Sequence, residues 1–132
     1  MIRNFILPDR NLDGGSPSFI IAEIGINHQG NIDIAKKLIL QAKECGADAV
    51  KFQKRSIPRI LTKAGLEMAY ENRNSFGKTY GEHKYALELS EDDYRELKRF
   101  SDNLNIYFSA SGWDEESIDF LMEIDVPFFK MA

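Results

Sequence analysis

A chain of 132 residues with 43% hydrophobic and 11% aromatic content is long and apolar enough for one packed domain. Its 17 Lys and Arg residues against 21 Asp and Glu residues give a formal net charge of -4 with no basic stripe, which argues against nucleic acid as a partner. Cys45 is the only cysteine, which excludes an intrachain disulfide. Because neither a signal peptide nor a run of about 20 apolar residues is present, we expect a cytoplasmic protein with no membrane partner.

The chain begins with a segment of mixed character and then becomes regular. Residues 1–18 contain a cluster of turn residues, so we interpret them as an N-terminal arm or capping hairpin. Residues 19–24 (FIIAEI) are apolar apart from Glu23, which is typical of a buried strand. A helix follows, with Asn31 as its N-cap and Gly46 as its stop. We expect Cys45, at the end of the apolar stripe of this helix, to pack in the core.

A second strand is predicted at residues 48–53, and a long connection follows it at residues 54–89. Connections of this length are often lids or binding loops. Residues 80–84 (YGEHK) are rich in groups that contact ligands. Because the connection leaves a strand at its carboxyl end, we expect it to lie beside an active site. Ser90 and the three acidic residues after it indicate the start of a second helix.

The last part of the chain repeats the alternation of strand and helix. A third strand is predicted at residues 106–110, a third helix is capped by Asp114, and a fourth strand is predicted at residues 126–131. Strands that alternate with helices through short turns imply right-handed crossovers and a parallel sheet. The predicted fold class is therefore α/β.

Polar side chains stand at the end of each predicted strand, where a buried strand is normally apolar. They are Glu23, Lys51 and Gln53, Ser109 and Ser111, and Lys130. Strand alternation places Lys51 and Gln53 on the face opposite Val50 and Phe52, which we expect to contact the helices. If the four strands are parallel neighbours, these polar ends meet at the carboxyl-end rim, where α/β barrels build their active sites.

Two lysines and a carboxylate in one partly dry cavity favour a bound phosphate or carboxylate, because unpaired buried charges are costly. An alternative is that Lys51 and Glu23 form a purely structural ion pair. A further alternative is that Lys130 is only the exposed end of a last strand. The serines, taken alone, are typical small packing residues.

The two histidines do not predict a metal site. His28 precedes a helix N-terminus, a position that favours anions, and a single histidine there is more often a loop hydrogen bonder than a metal ligand. His83 belongs to the long connection and has no second ligand at a suitable spacing. We therefore predict no metal ligands in this chain.

Four motifs in this order resemble the sialic acid synthase family, which makes N-acetylneuraminate and related nonulosonates. They are residues 22–30 (AEIGINHQG), 51–53 (KFQ), 80–84 (YGEHK) and 127–130 (PFFK). The resemblance runs from about residue 19 to the end of the chain, and residues 77–84 resemble the animal-type synthases most.

This resemblance implies a TIM-type (β/α)8 barrel followed by a small antifreeze-like domain. Residues 19–132 are then the N-terminal half of the barrel and supply about its first four strands, without the C-terminal half or the antifreeze-like domain. The implied reaction condenses phosphoenolpyruvate with N-acetylmannosamine or its 6-phosphate and releases phosphate. The resemblance further implies a divalent metal, Mn²⁺ or Mg²⁺, whose ligands lie outside this chain. It also implies a homodimer for the full-length protein.

The resemblance also assigns roles to individual residues. Glu23, Lys51 and Lys130 are the implied catalytic residues, with both lysines placed against the phosphate and carboxylate of phosphoenolpyruvate and Glu23 handling a proton or orienting the sugar. The implied substrate-binding residues are Gln53, Ser111, Asn27, His28, Tyr80 and His83.

Other hypotheses remain open from the sequence. Because half a barrel exposes strand edges and an apolar interior, we expect a fragment of a longer synthase and an inactive isolated chain. A Schiff-base aldolase with a strand-end lysine as nucleophile fits the strand pattern too. A truncated, non-catalytic interaction module is the alternative without enzyme activity. The sequence does not determine the acceptor sugar, its phosphorylation, the metal or the oligomeric state.

Overall fold

The computed structural model describes residues 5–7, 10–12 and 15–130. Its elements, in chain order, are β1 Phe5–Leu7, β2 Arg10–Leu12, β3 Ile21–Gly25, α1 Ile32–Glu44, β4 Ala49–Lys54, α2 Ile57–Ile60, α3 Lys63–Glu67, α4 Tyr80–Leu87, α5 Glu91–Asn103, β5 Tyr107–Gly112 and α6 Glu115–Glu123. No helix in these ranges is long and apolar enough to cross a membrane.

Strands β3, β4 and β5 form a three-stranded parallel sheet in that order. The α/β class is therefore confirmed, and each strand ends one or two residues later than predicted. β1 and β2 pair antiparallel within the predicted N-terminal arm. The bounds of that arm remain a prediction, and part of its turn cluster, residues 13 and 14, lies outside the described ranges.

The predicted helix starts are confirmed by their capping hydrogen bonds. The Asn31 side chain accepts hydrogen bonds from two backbone N–H groups of the first turn of α1, at 2.9 and 3.1 Å. Ser90 and Asp93 form a reciprocal capping box at the start of α5. Asp114 caps α6. At the end of α1, Gly46 has φ +83°, a conformation that is costly for other residues.

The apolar face of the sheet packs against the helices, as strand alternation predicts. Val50, Phe52 and Phe108 are completely buried there, and the Phe52 and Phe108 rings stack with their centroids 5.2 Å apart. Tyr94 of α5 fits edge-on against both rings. The prediction that Cys45 packs in the core is wrong: it is exposed, because it is the C-cap of α1, where the chain has already begun to turn.

The connection between β4 and α5 is not the loop that the sequence suggested. It contains helices α2, α3 and α4, and α4 begins with a capping box formed by Thr79 and Glu82. Tyr70 packs against Tyr80 and His83 of α4, with the Tyr70 and His83 ring centroids 4.7 Å apart. This aromatic cluster gives the connection a small core of its own.

The predicted fourth strand is not present among the described residues. Residues 126–130 have no strand assignment, and residue 131 lies outside the described ranges. The segment still lies beside β5, because the Ser109 hydroxyl donates a hydrogen bond to the Phe128 carbonyl at 2.7 Å. A side chain, rather than a backbone ladder, makes this contact, and Pro127 has no N–H to contribute to a ladder.

Candidate functional site at the carboxyl ends of the strands

Lys51 is the centre of the polar group at the carboxyl ends of the strands. Its register partners are Glu23 on β3 and Ser109 on β5. Its Nζ lies 2.8 and 2.7 Å from the two carboxylate oxygens of Glu23 and 3.3 Å from the Ser111 hydroxyl. The Lys51 side chain is 7% exposed, whereas that of Glu23 is 57% exposed. The ammonium is therefore buried against the sheet, but its carboxylate partner reaches solvent, where a ligand anion can compete with it.

Gln53 lies one step further along the same face of β4, opposite Ser111 on β5. Its backbone carbonyl accepts a 2.6 Å hydrogen bond from the Tyr94 hydroxyl, which anchors this end of the strand. Its side-chain Nε2 approaches Gly25, where it would lie 3.4 Å from a Cβ atom. Gly25 has φ +58°, a conformation that favours glycine.

A second buried cationic group, which the sequence reasoning missed, continues from β4. The Lys54 Nζ lies 2.9 Å from Glu88 Oε1, and the Arg55 N–H donates to the same oxygen at 3.1 Å. The Arg55 guanidinium lies over the Trp113 ring, 4.7 Å from its centroid. Burial raises the pKa of Glu88, although Lys54 and Arg55 oppose this shift. The signal for this group was two consecutive cations directly after a buried strand, but nothing in the sequence indicated that Glu88 is their partner.

His28 lies on the other side of the sheet. It is 1% exposed, and its Nδ1 accepts a 3.1 Å hydrogen bond from the Gly30 N–H. In the part of the chain that the structure describes, its Nε2 has no hydrogen-bond partner. Its ring packs against Phe52, which points away from the Lys51 face. Burial lowers the pKa of His28 to about 4, while the Gly25 carbonyl acts in the opposite direction.

Replacing His28 with asparagine, which keeps an acceptor for the Gly30 N–H, is expected to reduce the decrease in the free energy of unfolding that acidification causes. Histidine has a pKa of 6.5 when unfolded and about 4 when folded here, so acidification protonates the unfolded chain first. The contribution of His28 to the free energy of unfolding is therefore retained above its pKa in the unfolded chain. It is lost as the pH falls towards its pKa in the folded protein. Between pH 7 and pH 5 the His28 contribution to this loss is about 2 kcal/mol.

Urea unfolding of both proteins at the two pH values measures this difference. Burial also lowers the pKa of His83, so this histidine can contribute to the same loss of stability. His83→Gln is the comparison variant that measures its contribution. If the wild-type protein and His28→Asn lose equal stability on acidification, the proposed titration of His28 is contradicted.

The other predicted substrate-binding residues lie apart from Lys51. Asn27 is exposed, and its side-chain amide donates to the Ile24 carbonyl at 2.9 Å. Tyr80 and His83 belong to the aromatic cluster beside α4, where the His83 Nδ1 accepts a hydrogen bond from a backbone N–H at 3.2 Å. Within residues 15–130, no hydrogen bond or ion pair joins any of them to Lys51.

Lys130 is exposed near the end of the described chain. No described hydrogen bond or ion pair links it to Glu23 or Lys51, so the structure brings together two of the three predicted catalytic residues. Its segment does approach the site, since Phe128 lies beside Ser109. A catalytic role for Lys130 therefore remains a prediction.

The described residues do not provide a metal site. They contain no group of three or more His, Cys, Asp or Glu side chains arranged around a common point. Both oxygens of Glu23 face Lys51, and the Nδ1 of His28 is engaged by Gly30. The described residues alone therefore do not hold the divalent metal that the family resemblance implies, whose ligands are predicted to lie outside this chain, and we assign no reaction step to a metal.

Comparisons with known proteins agree with the resemblance seen in the motifs. The chain is 52% identical to human N-acetylneuraminate-9-phosphate synthase over 127 residues, covering 96% of this chain and 35% of that protein. It is 43% identical to N,N'-diacetyllegionaminic acid synthase of Legionella pneumophila over 114 residues, covering 86% of this chain and 32% of that protein. It thus spans about a third of the length of these curated relatives.

Among solved structures, the chain resembles an N-acetylneuraminic acid (sialic acid) synthetase from Leptospira borgpetersenii, crystallised in complex with citrate. The TM-score is 0.75 at 30% identity, and the alignment covers 100% of this chain and 42% of that one. A spore coat polysaccharide biosynthesis protein from Bacillus subtilis gives a TM-score of 0.69 at 29% identity, with 98% of this chain and 33% of that one covered. The NeuB family model matches residues 38–132. On this evidence, the chain belongs to the NeuB family.

Proposed function

We propose that a polypeptide of the family's full length carrying this sequence condenses phosphoenolpyruvate with N-acetylmannosamine or its 6-phosphate. The observation that carries the proposal is the buried Lys51 ammonium, held at the carboxyl end of the sheet by a carboxylate that reaches solvent. The relatives support the reaction class, because those compared above include synthases of N-acetylneuraminate 9-phosphate and of diacetyllegionaminic acid. The Leptospira relative was crystallised in complex with citrate, a carboxylate, which supports an anion-binding site in the proposal.

Lys51 is proposed to bind an anionic group of phosphoenolpyruvate. An ammonium that is already desolvated and fixed by Glu23 and Ser111 loses little further freedom when it binds a carboxylate or phosphate. Its fixed charge also stabilises negative charge that moves during the reaction. We propose that Lys130 assists from the neighbouring segment.

In the proposed reaction, C3 of phosphoenolpyruvate forms a bond to the aldehyde carbon of the sugar, and the aldehyde oxygen takes up a proton. Water adds at C2, and phosphate leaves with cleavage of its C–O bond to C2. Glu23, partly exposed beside Lys51, is the proposed residue for orienting the sugar or moving a proton at its reacting oxygen. The resemblance also leads us to propose a homodimer and a divalent metal in the full-length protein.

Phosphate release and formation of the nine-carbon acid, measured with each acceptor sugar, test this proposal. We expect both products to depend on phosphoenolpyruvate and on the sugar together. If borohydride and pyruvate instead trap a covalent adduct on Lys51, the protein is a Schiff-base aldolase. If neither product nor adduct forms, the site is not that of a condensing enzyme.

A further inference from the structure

We propose that Arg55 is a positioning residue, which fixes the side-chain amide of Gln53 so that its NH₂ group faces the Lys51 site. The effect of this role on catalysis rests on the proposed function. The hydrogen bond between Arg55 and Gln53 can be tested separately.

The orientation of the Gln53 amide follows from the chemistry of its neighbour. The Arg55 guanidinium donates a hydrogen bond to Gln53 Oε1. Arginine has only donors, so the amide oxygen must face it and the NH₂ group must turn away. Loss of this bond would allow the amide to turn over, so that a ligand would meet an acceptor in place of a donor.

The NH₂ group of Gln53 turns towards the end of β3. A Cβ atom at Gly25 would lie 3.4 Å from Gln53 Nε2 and 3.8 Å from Glu23 Oε1. A donor and an acceptor therefore lie beside Gly25 at the same end of β3. A ligand hydroxyl that approaches both side chains can accept a hydrogen bond from Gln53 and donate one to Glu23, which is the pattern of a polyol such as a sugar.

Two residues, Trp113 and Glu88, hold Arg55 in place. Its guanidinium stacks on the Trp113 ring, its backbone N–H donates to Glu88, and its Nη1 lies 4.0 Å from the second Glu88 oxygen. Its side chain is only 8% exposed. Because these contacts fix the guanidinium and cover most of it, Arg55 acts through Gln53 rather than as a ligand-binding residue.

The first experiment observes the amide itself. The chain has three glutamines, Gln29, Gln41 and Gln53, so ¹⁵N-glutamine labelling gives three side-chain NH₂ signals that a Gln53→Leu variant assigns. Arg55→Met, which keeps an unbranched apolar side chain but removes the guanidinium, is expected to shift the Gln53 signals and leave the other two in place.

Arg59→Met is the matched control, because Arg59 is exposed and pairs with Glu116 outside this group. Arg55→Lys keeps the charge opposite Glu88 but replaces the planar guanidinium with one flexible ammonium, and it decides the question if Arg55→Met does not fold. Unmoved Gln53 signals in the folded Arg55 variant would overturn the proposal, whether or not the protein is an enzyme.

The second experiment measures the consequence in the full-length polypeptide. Arg55→Met is expected to raise the KM for the acceptor sugar about five- to tenfold, the effect of one hydrogen bond, while the KM for phosphoenolpyruvate changes less than about twofold. In a Gln53→Leu background, Arg55→Met should have no further effect on the sugar KM.

Multiplicative effects of the two substitutions would show that Arg55 acts independently of Gln53 and would refute the positioning role. A wild-type protein without condensing activity would refute the proposed function alone, since the NMR experiment still decides whether Arg55 holds the Gln53 amide.

Discussion

Replacing Lys51 with methionine is expected to weaken phosphoenolpyruvate binding to the full-length polypeptide about 10- to 100-fold, the worth of a hydrogen bond to a charged group. The variant keeps a side chain of similar length but removes the ammonium that Glu23 and Ser111 hold in place. The fold should survive the change, because the Glu23 side chain is 57% exposed and remains solvated without its partner. Isothermal titration calorimetry measures the affinity directly.

Lys37→Met is the matched control for this experiment. Lys37 is an exposed residue of α1, so its removal changes the net charge equally without altering the site. We expect the affinity of this control to stay within about twofold of the wild-type value, since screened surface charges contribute little. Unchanged affinity in Lys51→Met, with a normal unfolding curve, would rule out Lys51 as the anion-binding residue.

Replacing Glu88 with alanine is expected to lower the free energy of unfolding by about 3–5 kcal/mol, because it takes from two buried cations the carboxylate that they share. The side chains of Lys54 and Arg55 are 10% and 8% exposed, and both contact the Glu88 carboxylate. The substitution also removes the acceptor for the Arg55 N–H. Urea unfolding of the variant and the wild-type protein measures the loss.

Glu67→Ala is the control for Glu88→Ala. Glu67 forms an i,i+4 pair with Lys63 at 4.0 Å, and both side chains are more than two-thirds exposed, so we expect a change within about 0.5 kcal/mol. Adding Lys54→Met to Glu88→Ala should recover part of the loss, because it removes one of the unpaired charges. A Glu88→Ala protein as stable as Glu67→Ala would mean that water reaches the two cations and that the group is not effectively buried.

The largest error of the sequence reasoning concerned residues 54–89. They were predicted as a long connection of the kind that forms lids or binding loops, yet three helices form there. The helices are short, between four and eight residues, and isolated helices of this length are unstable in water. They depend on contacts such as the ring cluster of Tyr70, Tyr80 and His83, which periodicity does not reveal.

The sequence located part of the candidate site correctly. Glu23 and Lys51 meet as expected, because alternation along a strand and the parallel order of β3 and β4 are both readable from the residues. Lys130 was placed with them by the same reasoning, but the segment that carries it is not a strand, so alternation gives no direction for its side chain.

By itself, the sequence determined the features that depend on residues within about one turn or one strand of each other. These are the caps at Asn31, Ser90 and Asp114, the stop at Gly46, and the separation of a polar and an apolar face along β4. Such features follow from local hydrogen bonds and from the helical and strand periods, which are the same in any fold.

Only the tertiary structure decided which charges pair and which side chains are enclosed. Glu88 meets Lys54 across 34 positions of the chain, and Arg55 reaches both Gln53 and Trp113. Burial of Lys54, Arg55 and Glu88 depends on how α4, α5 and β5 close around the end of β4. The free energy of a charge depends on its whole surroundings rather than on its neighbours in sequence, so this part of the site appears only when the chain is folded.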